Sequence, residues 1–160
     1  MKIKNKKWLV LGICILIPLL VGWIGGIFTS SSVGDWYLTL NKFSLNPPSW
    51  VFAPVWTLLF VLMGLSLYFV FIERKNIENR KIFLWLFGVQ LILNLLWSVL
   101  FFGLRNPFYA LIEIVVLWIF ILLTLIYGFK INRKSGWLLV PYLVWVSFAI
   151  FLNFSIVKLN

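Results

Sequence analysis

Histidine is absent from this chain, cysteine occurs once, and acidic residues number four in 160. A His/Cys zinc site and a His-ligated haem iron are thereby excluded, and Cys14, being alone, cannot close a disulfide within the chain. No acid–base pair or metal-ligating cluster stands in the apolar stretches, and no series of ionisable groups follows them as a proton or ion pathway would need. That argues against a pump or coupled carrier, as does the lack of two matching halves with interrupted helices. Charge of either sign is scarce, at 11% of residues. What is there instead is apolar: 63% hydrophobic residues, 19% aromatics including ten Trp, and a mean hydropathy of +1.06. A soluble domain of this size could not cover so much apolar surface, so the solvent is lipid.

Apolar runs extend over residues 8–28, 51–72, 82–103, 107–129 and 137–157, each about the twenty residues a helix needs to cross the hydrocarbon. The expected fold is therefore an all-α membrane protein, a bundle of five transmembrane helices forming one domain over residues 1–160. Residues 104–106 allow barely a turn, which makes spans three and four antiparallel neighbours. Residues 73–81 and 130–136 read as short charged connections, and 29–50 as a long loop.

The net charge of +10 could suggest nucleic acid, but the basic residues sit in clusters between apolar runs. Lys2, Lys4, Lys6, Lys7, Arg74, Lys75, Arg80, Lys81, Lys130, Arg133 and Lys134 fall on one side; Lys42, Arg105 and Lys158 fall on the other. This positive-inside pattern needs no nucleic acid and places the N-terminus in the cytoplasm and the C-terminus outside. The basic start of span one also fits a signal peptide. Its apolar run exceeds a typical signal core, so an uncleaved span is expected.

Polar residues deep in lipid tend to face the bundle interior, which makes the few present here the place to look for a site. Gln90, Asn94, Trp97 and Phe101 recur at i, i+4, i+7 and i+11 on one face of span three. Tyr142, Trp145, Ala149 and Asn153 share a face of span five, with Ala149 as a small gap between larger groups. Turned together, two such faces would make a ring-walled pocket with polar anchors; equally, the amides could simply bond across helices as packing. Glu113 is the one carboxylate inside a span and is expected to pair with Arg105 across the tight turn or with the backbone. Gly22 and Gly26, extended by Ser30, allow close helix approach, either within the bundle or between two copies in a homodimer.

The long loop ends in Asn46-Pro47-Pro48-Ser49-Trp50, with Pro54 in the first turn of span two, where its missing N–H matters least. A stiff segment carrying Trp50 at a helix mouth reads as a lid, and alternatively as an interfacial anchor.

Together, the stretches Pro47-Pro48-Ser49-Trp50-Val51-Phe52-Ala53-Pro54-Val55-Trp56, Gln90 through Asn94 and Trp97 to Gly103 with Arg105, and Pro141-Tyr142 through Trp145 and Ala149 to Asn153 resemble the TspO/MBR family. This is the family of tryptophan-rich sensory proteins and translocator proteins, the peripheral-type benzodiazepine receptors. The resemblance covers nearly the whole chain and points to a bacterial member. It implies a five-helix bundle, often a homodimer, in the cell membrane, with a pocket open toward the first loop. It also implies binding of porphyrins such as protoporphyrin IX and of isoquinoline carboxamide or benzodiazepine-type ligands, linked to tetrapyrrole homeostasis and oxidative stress.

Carried over by position, Gln90, Asn94, Trp97 and Trp145 match the pocket lining and Ala149 the small position beside the ligand. The resemblance further implies light- and oxygen-dependent porphyrin breakdown as an alternative activity, with Trp50 and Trp137 as the tryptophans involved. No cofactor is expected beyond porphyrin as ligand or substrate: a flat macrocycle laid between rings buries several hundred square ångströms at about 25 cal/mol per Å² and needs no metal ligand. The animal sterol motif at the end of span five wants a Tyr where this chain has Phe154, and such motifs are weak even when complete, so no prediction of sterol binding is made. Transport of porphyrin or another apolar molecule is the least favoured reading.

Overall fold

The computed structural model describes residues 2–73 and 76–160, and side chains from Lys7 onward within them. Arg74, Lys75 and the side chains of Lys2, Lys4 and Lys6, which carry much of the charge asymmetry, lie outside the described residues. Helix α1 spans Lys2–Val33, α2 Trp36–Thr39, α3 Phe52–Ile72, α4 Ile77–Ser98, α5 Pro107–Ile131 and α6 Arg133–Leu159. A 3₁₀ turn at Ser49–Val51 leads into α3, and a π turn at Val99–Gly103 prolongs α4. Among the described residues, five stretches are long and apolar enough to cross a bilayer: Lys7–Val33, Ser49–Ile72, Ile77–Gly103, Pro107–Ile131 and Arg133–Leu159. The chain is a multi-pass, all-helical membrane bundle.

The helices outrun the apolar stretches that announce them, because backbone hydrogen bonding continues through the interfacial turns where polar side chains reach water. Thus α1 reaches Val33, and α4 begins at Ile77 and carries Arg80 and Lys81. The expected connection at 130–136 shrinks to one residue. Asn132 ends α5, its N–H donating to the Gly128 carbonyl at 2.9 Å, and caps α6 by accepting from the Lys134 N–H at 3.0 Å. Beside it, the Ser66 and Ser135 hydroxyls meet at 2.7 Å and fasten α3 to the start of α6.

Helix α1 packs on α3, α3 on α6, α6 on α5, and α5 on α4, which closes back onto α1. The α1–α3 seam is set by two glycines. Pro18 lacks the N–H that would bond the Cys14 carbonyl, and Gly64 of α3 lies against that carbonyl. A Cβ on Gly64 would lie 2.5 Å from the Ile15 Cα and 2.8 Å from the Cys14 carbonyl oxygen, so only glycine fits. Two turns further along α1, Gly22 receives the ring of Phe60, which a Cβ would strike. Beyond that point Gly26 has nothing within 4 Å of where a Cβ would be. The two helices are tight below Gly22 and apart above it.

Arg105, at φ 52°, turns the chain between α4 and α5. It does not pair with Glu113: its guanidinium reaches Asp35, on the other side of the turn, at 3.4 Å. Glu113 is buried, and neither of its carboxyl oxygens accepts a hydrogen bond among the described residues. The physical reason is directional. Glu113 lies nearly two turns into α5 on its bundle side, whereas Arg105 at the surface points toward the α1–α2 corner.

A candidate ligand cavity between α1, α3, α4 and α6

In the half of the bundle capped by α2, the interior opens into a cavity of about 680 Å³. Its floor is Phe60, Gly22 and Leu19; its back wall is Asn94, Trp97, Ser98 and Phe101 of α4 with Ala149, Leu152, Asn153 and Ile156 of α6. Trp56 of α3 forms one flank, stacked on Phe60 with centroids 5.7 Å apart and inclined by 30° to Trp97 at 6.5 Å. The volume falls in the range of small-molecule sites, and the make-up, mostly rings and aliphatic groups with a few amides and hydroxyls, is typical of them. No charged side chain stands among the described wall residues.

The roof is Tyr37. Its ring lies against Phe52, Phe101 and Phe102, its hydroxyl donates to the Asn46 side-chain oxygen at 3.0 Å, and the Lys42 ammonium sits 4.5 Å over the ring. The Asp35 side chain accepts from the Trp36 N–H and so starts the short α2 that carries Tyr37. The π turn brings the two phenylalanines beneath it. Asn106 N–H passes over the Phe102 carbonyl, its partner in a regular helix, and bonds Leu100 at 3.0 Å; Ser32 of α1 donates to the freed carbonyl at 2.8 Å. At the other end of the loop, Asn41 and Asn160 exchange backbone and side-chain bonds of 3.0 Å, tying it to the end of α6.

The predicted faces of spans three and five do meet, and they split into two tiers. In the deeper tier the amides bond across helices: Asn94 Nδ2 donates to the Tyr142 hydroxyl at 2.9 Å, and that hydroxyl donates to Gln90 Oε1 at 3.0 Å. Gln90 and Tyr142 are buried behind the cavity rather than lining it. In the upper tier Asn94, Trp97, Phe101 and Ala149 all reach the wall. There Trp97 Nε1 donates to Asn153 Oδ1 at 3.2 Å, and Asn153 Nδ2 to the Pro107 carbonyl at 2.8 Å. These bonds fix the indole plane, and among the described residues they leave the Asn94 oxygen and the Ser98 hydroxyl for a ligand. Cross-helix bonding and cavity lining are thus divided between two tiers, one above the other.

Trp145 packs on Phe52 and Phe148, one layer out from the wall. Trp50 is not among the wall residues and is 74% exposed, as an interfacial ring would be, whereas Tyr37 lines the cavity and is buried. Trp137 is 61% exposed and contacts Phe129. It lies twelve residues before Ala149, about 18 Å along α6 toward the other end of the bundle. Trp56, Phe60 and Tyr37 are among the wall residues that the sequence reading did not single out. The signal for two of them was present: Phe52, Trp56 and Phe60 recur every four residues and so form an aromatic stripe along α3. Of the small residues in α1, Gly22 serves internal packing, and Gly26 and Ser30 border the cavity.

A helical membrane bundle with a neutral, tryptophan-walled cavity beneath the short helix α2 defines a class of multi-pass membrane proteins. Within it, this chain belongs to the TspO/MBR family, whose profile matches residues 14–159. It is 48% identical over 158 residues to the tryptophan-rich protein TspO of Chlorobaculum tepidum, covering 98% of this chain and 99% of that protein. It is 43% identical over 146 residues to the tryptophan-rich protein TspO of Archaeoglobus fulgidus, covering 91% and 94%. With the tryptophan-rich sensory protein of Cereibacter sphaeroides it shares 38% over 126 residues, covering 79% and 77%.

Proposed function

We propose that the chain is a membrane receptor that binds a porphyrin, with protoporphyrin IX as the reference ligand, in the cavity between α1, α3, α4 and α6. Isoquinoline carboxamide and benzodiazepine-type molecules, apolar and ring-built, would use the same cavity, and the binding would serve tetrapyrrole homeostasis under oxidative stress. The single observation that carries this reading is the pair of adjoining indoles, Trp56 and Trp97, 6.5 Å apart and inclined by 30° in the wall of a 680 Å³ neutral cavity. Two roughly parallel rings offer the faces that a flat aromatic ligand stacks on. The neutral walls add a restriction: the two carboxylates of protoporphyrin find no cation there and must project out of the cavity. The test is a titration of intrinsic Trp fluorescence with protoporphyrin IX in detergent. Saturable quenching, weakened at least about tenfold in Trp56→Ala with Trp97→Ala, is expected. Absence of saturable quenching, or unchanged affinity in the double variant, refutes the assignment.

A second reading, breakdown of the bound porphyrin by light and oxygen, is supported by the same indoles standing in the wall. Trp56 and Trp97 are placed to touch a bound macrocycle, whereas Trp50 and Trp137 are not. Bleaching of illuminated protoporphyrin should then slow in Trp56→Phe and Trp97→Phe and persist in Trp50→Phe and Trp137→Phe. The opposite pattern would return the role to the outer pair.

A further inference from the structure

The exposure of the cavity's lining residues marks where it opens. Lining residues from α4 and α6 are all buried or half-buried, whereas the exposed ones come only from the facing edges of α1 and α3. On α1 these include Trp23, Gly26 and Ser30; on α3 they are Ala53 and Thr57. A side chain that both lines an interior cavity and is exposed on the outside of the bundle marks the rim of a mouth. The rim is cut into two membrane spans. Trp23 lies ten residues before the end of α1, about 15 Å down its axis, and Thr57 five residues into α3, about 8 Å. The hydrocarbon is about 30 Å thick, so the mouth faces lipid over much of one leaflet. The gap has a cause in the sequence: α1 and α3 are locked at Gly64 and Gly22, and at Gly26 nothing lies within 4 Å of where a Cβ would be. The roof, by contrast, is closed by Tyr37 packed on three rings.

Resting on the porphyrin reading above, we propose that the cavity is filled sideways from the bilayer through the α1–α3 gap, and that the bound ligand keeps its polar or chain-bearing edge in that gap. The ligand class is then a rigid apolar molecule already dissolved in the membrane. Its charged or extended substituents lie outside the neutral walls, among lipid headgroups and chains.

The test uses the full chain reconstituted in phosphatidylcholine vesicles and two probes: protoporphyrin IX, and its amide with two stearyl chains, which stays in the membrane. Quenching of Trp fluorescence by the stearyl conjugate, with affinity within about tenfold of free protoporphyrin on a per-lipid basis, is expected. Quenching by free protoporphyrin but not by the conjugate overturns the proposal, because a path through the roof cannot pass two acyl chains. Quenching by neither overturns the porphyrin reading itself. A gating variant, Gly26→Phe, adds kinetics: association and dissociation should slow together by about tenfold, so that affinity moves less than either rate. Faster dissociation at unchanged association would make residue 26 a wall contact and speak against the gap. Should that variant fail to fold, the conjugate comparison on the wild-type chain decides alone.

Discussion

The buried chain Asn94–Tyr142–Gln90 makes a quantitative prediction. Tyr142→Phe keeps the ring, which is fully buried and edge-on to Trp56 at 6.2 Å, and removes only the hydroxyl. Two hydrogen bonds disappear, of 2.9 Å and 3.0 Å, and Gln90 Oε1 and Asn94 Nδ2 lose these partners inside the bundle. The other bond recorded for Gln90 is a 3.7 Å contact of its Nε2 with the Met63 sulfur, a weak acceptor that does nothing for the oxygen. Side-chain hydrogen bonds between membrane helices average about 0.6 kcal/mol each, and intramolecular bonds generally about 1 kcal/mol. Two bonds with orphaned partners should therefore cost about 1–3 kcal/mol. The assay is reversible unfolding in mixed micelles titrated with dodecyl sulfate and followed by circular dichroism. A loss below about 0.5 kcal/mol, or a gain, would show that this network does not hold α4 to α6 and would refute the two-tier description of the site.

Other consequences can be checked the same way. Gly64→Val should destabilise by more than about 2 kcal/mol, because its Cβ meets backbone at Cys14 and Ile15 that cannot swing aside; an unchanged unfolding midpoint would contradict the seam. Glu113→Leu should raise stability by about 1–3 kcal/mol, since it removes a buried carboxyl that accepts no hydrogen bond among the described residues; a loss of stability would reveal a partner. Burial raises the Tyr37 phenol above its ordinary value of 10.0. A raised folded value means the contribution of Tyr37 is complete below pH 10 and lost as pH climbs through the folded value. Tyrosinate absorbance, wild type minus Tyr37→Phe, should accordingly rise above pH 10, and a midpoint at or below 10 would mean the roof is open to water.

Much of the bundle could be read directly from residue patterns, since lipid forces every backbone group into helices and makes apolar run length a direct measure of a span. The inward faces were legible for a related reason: Gln90, Asn94 and Asn153 are too polar for lipid, so their spacing marks the interior. Which of them line a cavity and which bond across helices was not legible, because that depends on where the helices part. The separation of α1 from α3 above Gly22 is a packing outcome of Pro18, Gly64 and Phe60 acting together. Trp50 and Tyr37 illustrate the same limit. Both belong to the long connection between spans, and only the π turn at Val99–Gly103 decides that Tyr37 finds Phe101 and Phe102 beneath it. The Glu113–Arg105 pairing failed because closeness in sequence across a turn does not set side-chain direction once Arg105 takes φ 52°.

The central claim is that the neutral, tryptophan-walled cavity is the ligand site. Its most direct test is the affinity of protoporphyrin IX for three proteins: wild type, Ala149→Phe and Trp137→Phe. Ala149 lines the cavity and its ring-bearing replacement would occupy it, whereas Trp137 lies outside the walls. Binding should fall by at least about a hundredfold in Ala149→Phe and stay at the wild-type level in Trp137→Phe. Retained binding in Ala149→Phe together with loss in Trp137→Phe would contradict the account and move the site to the opposite end of α6.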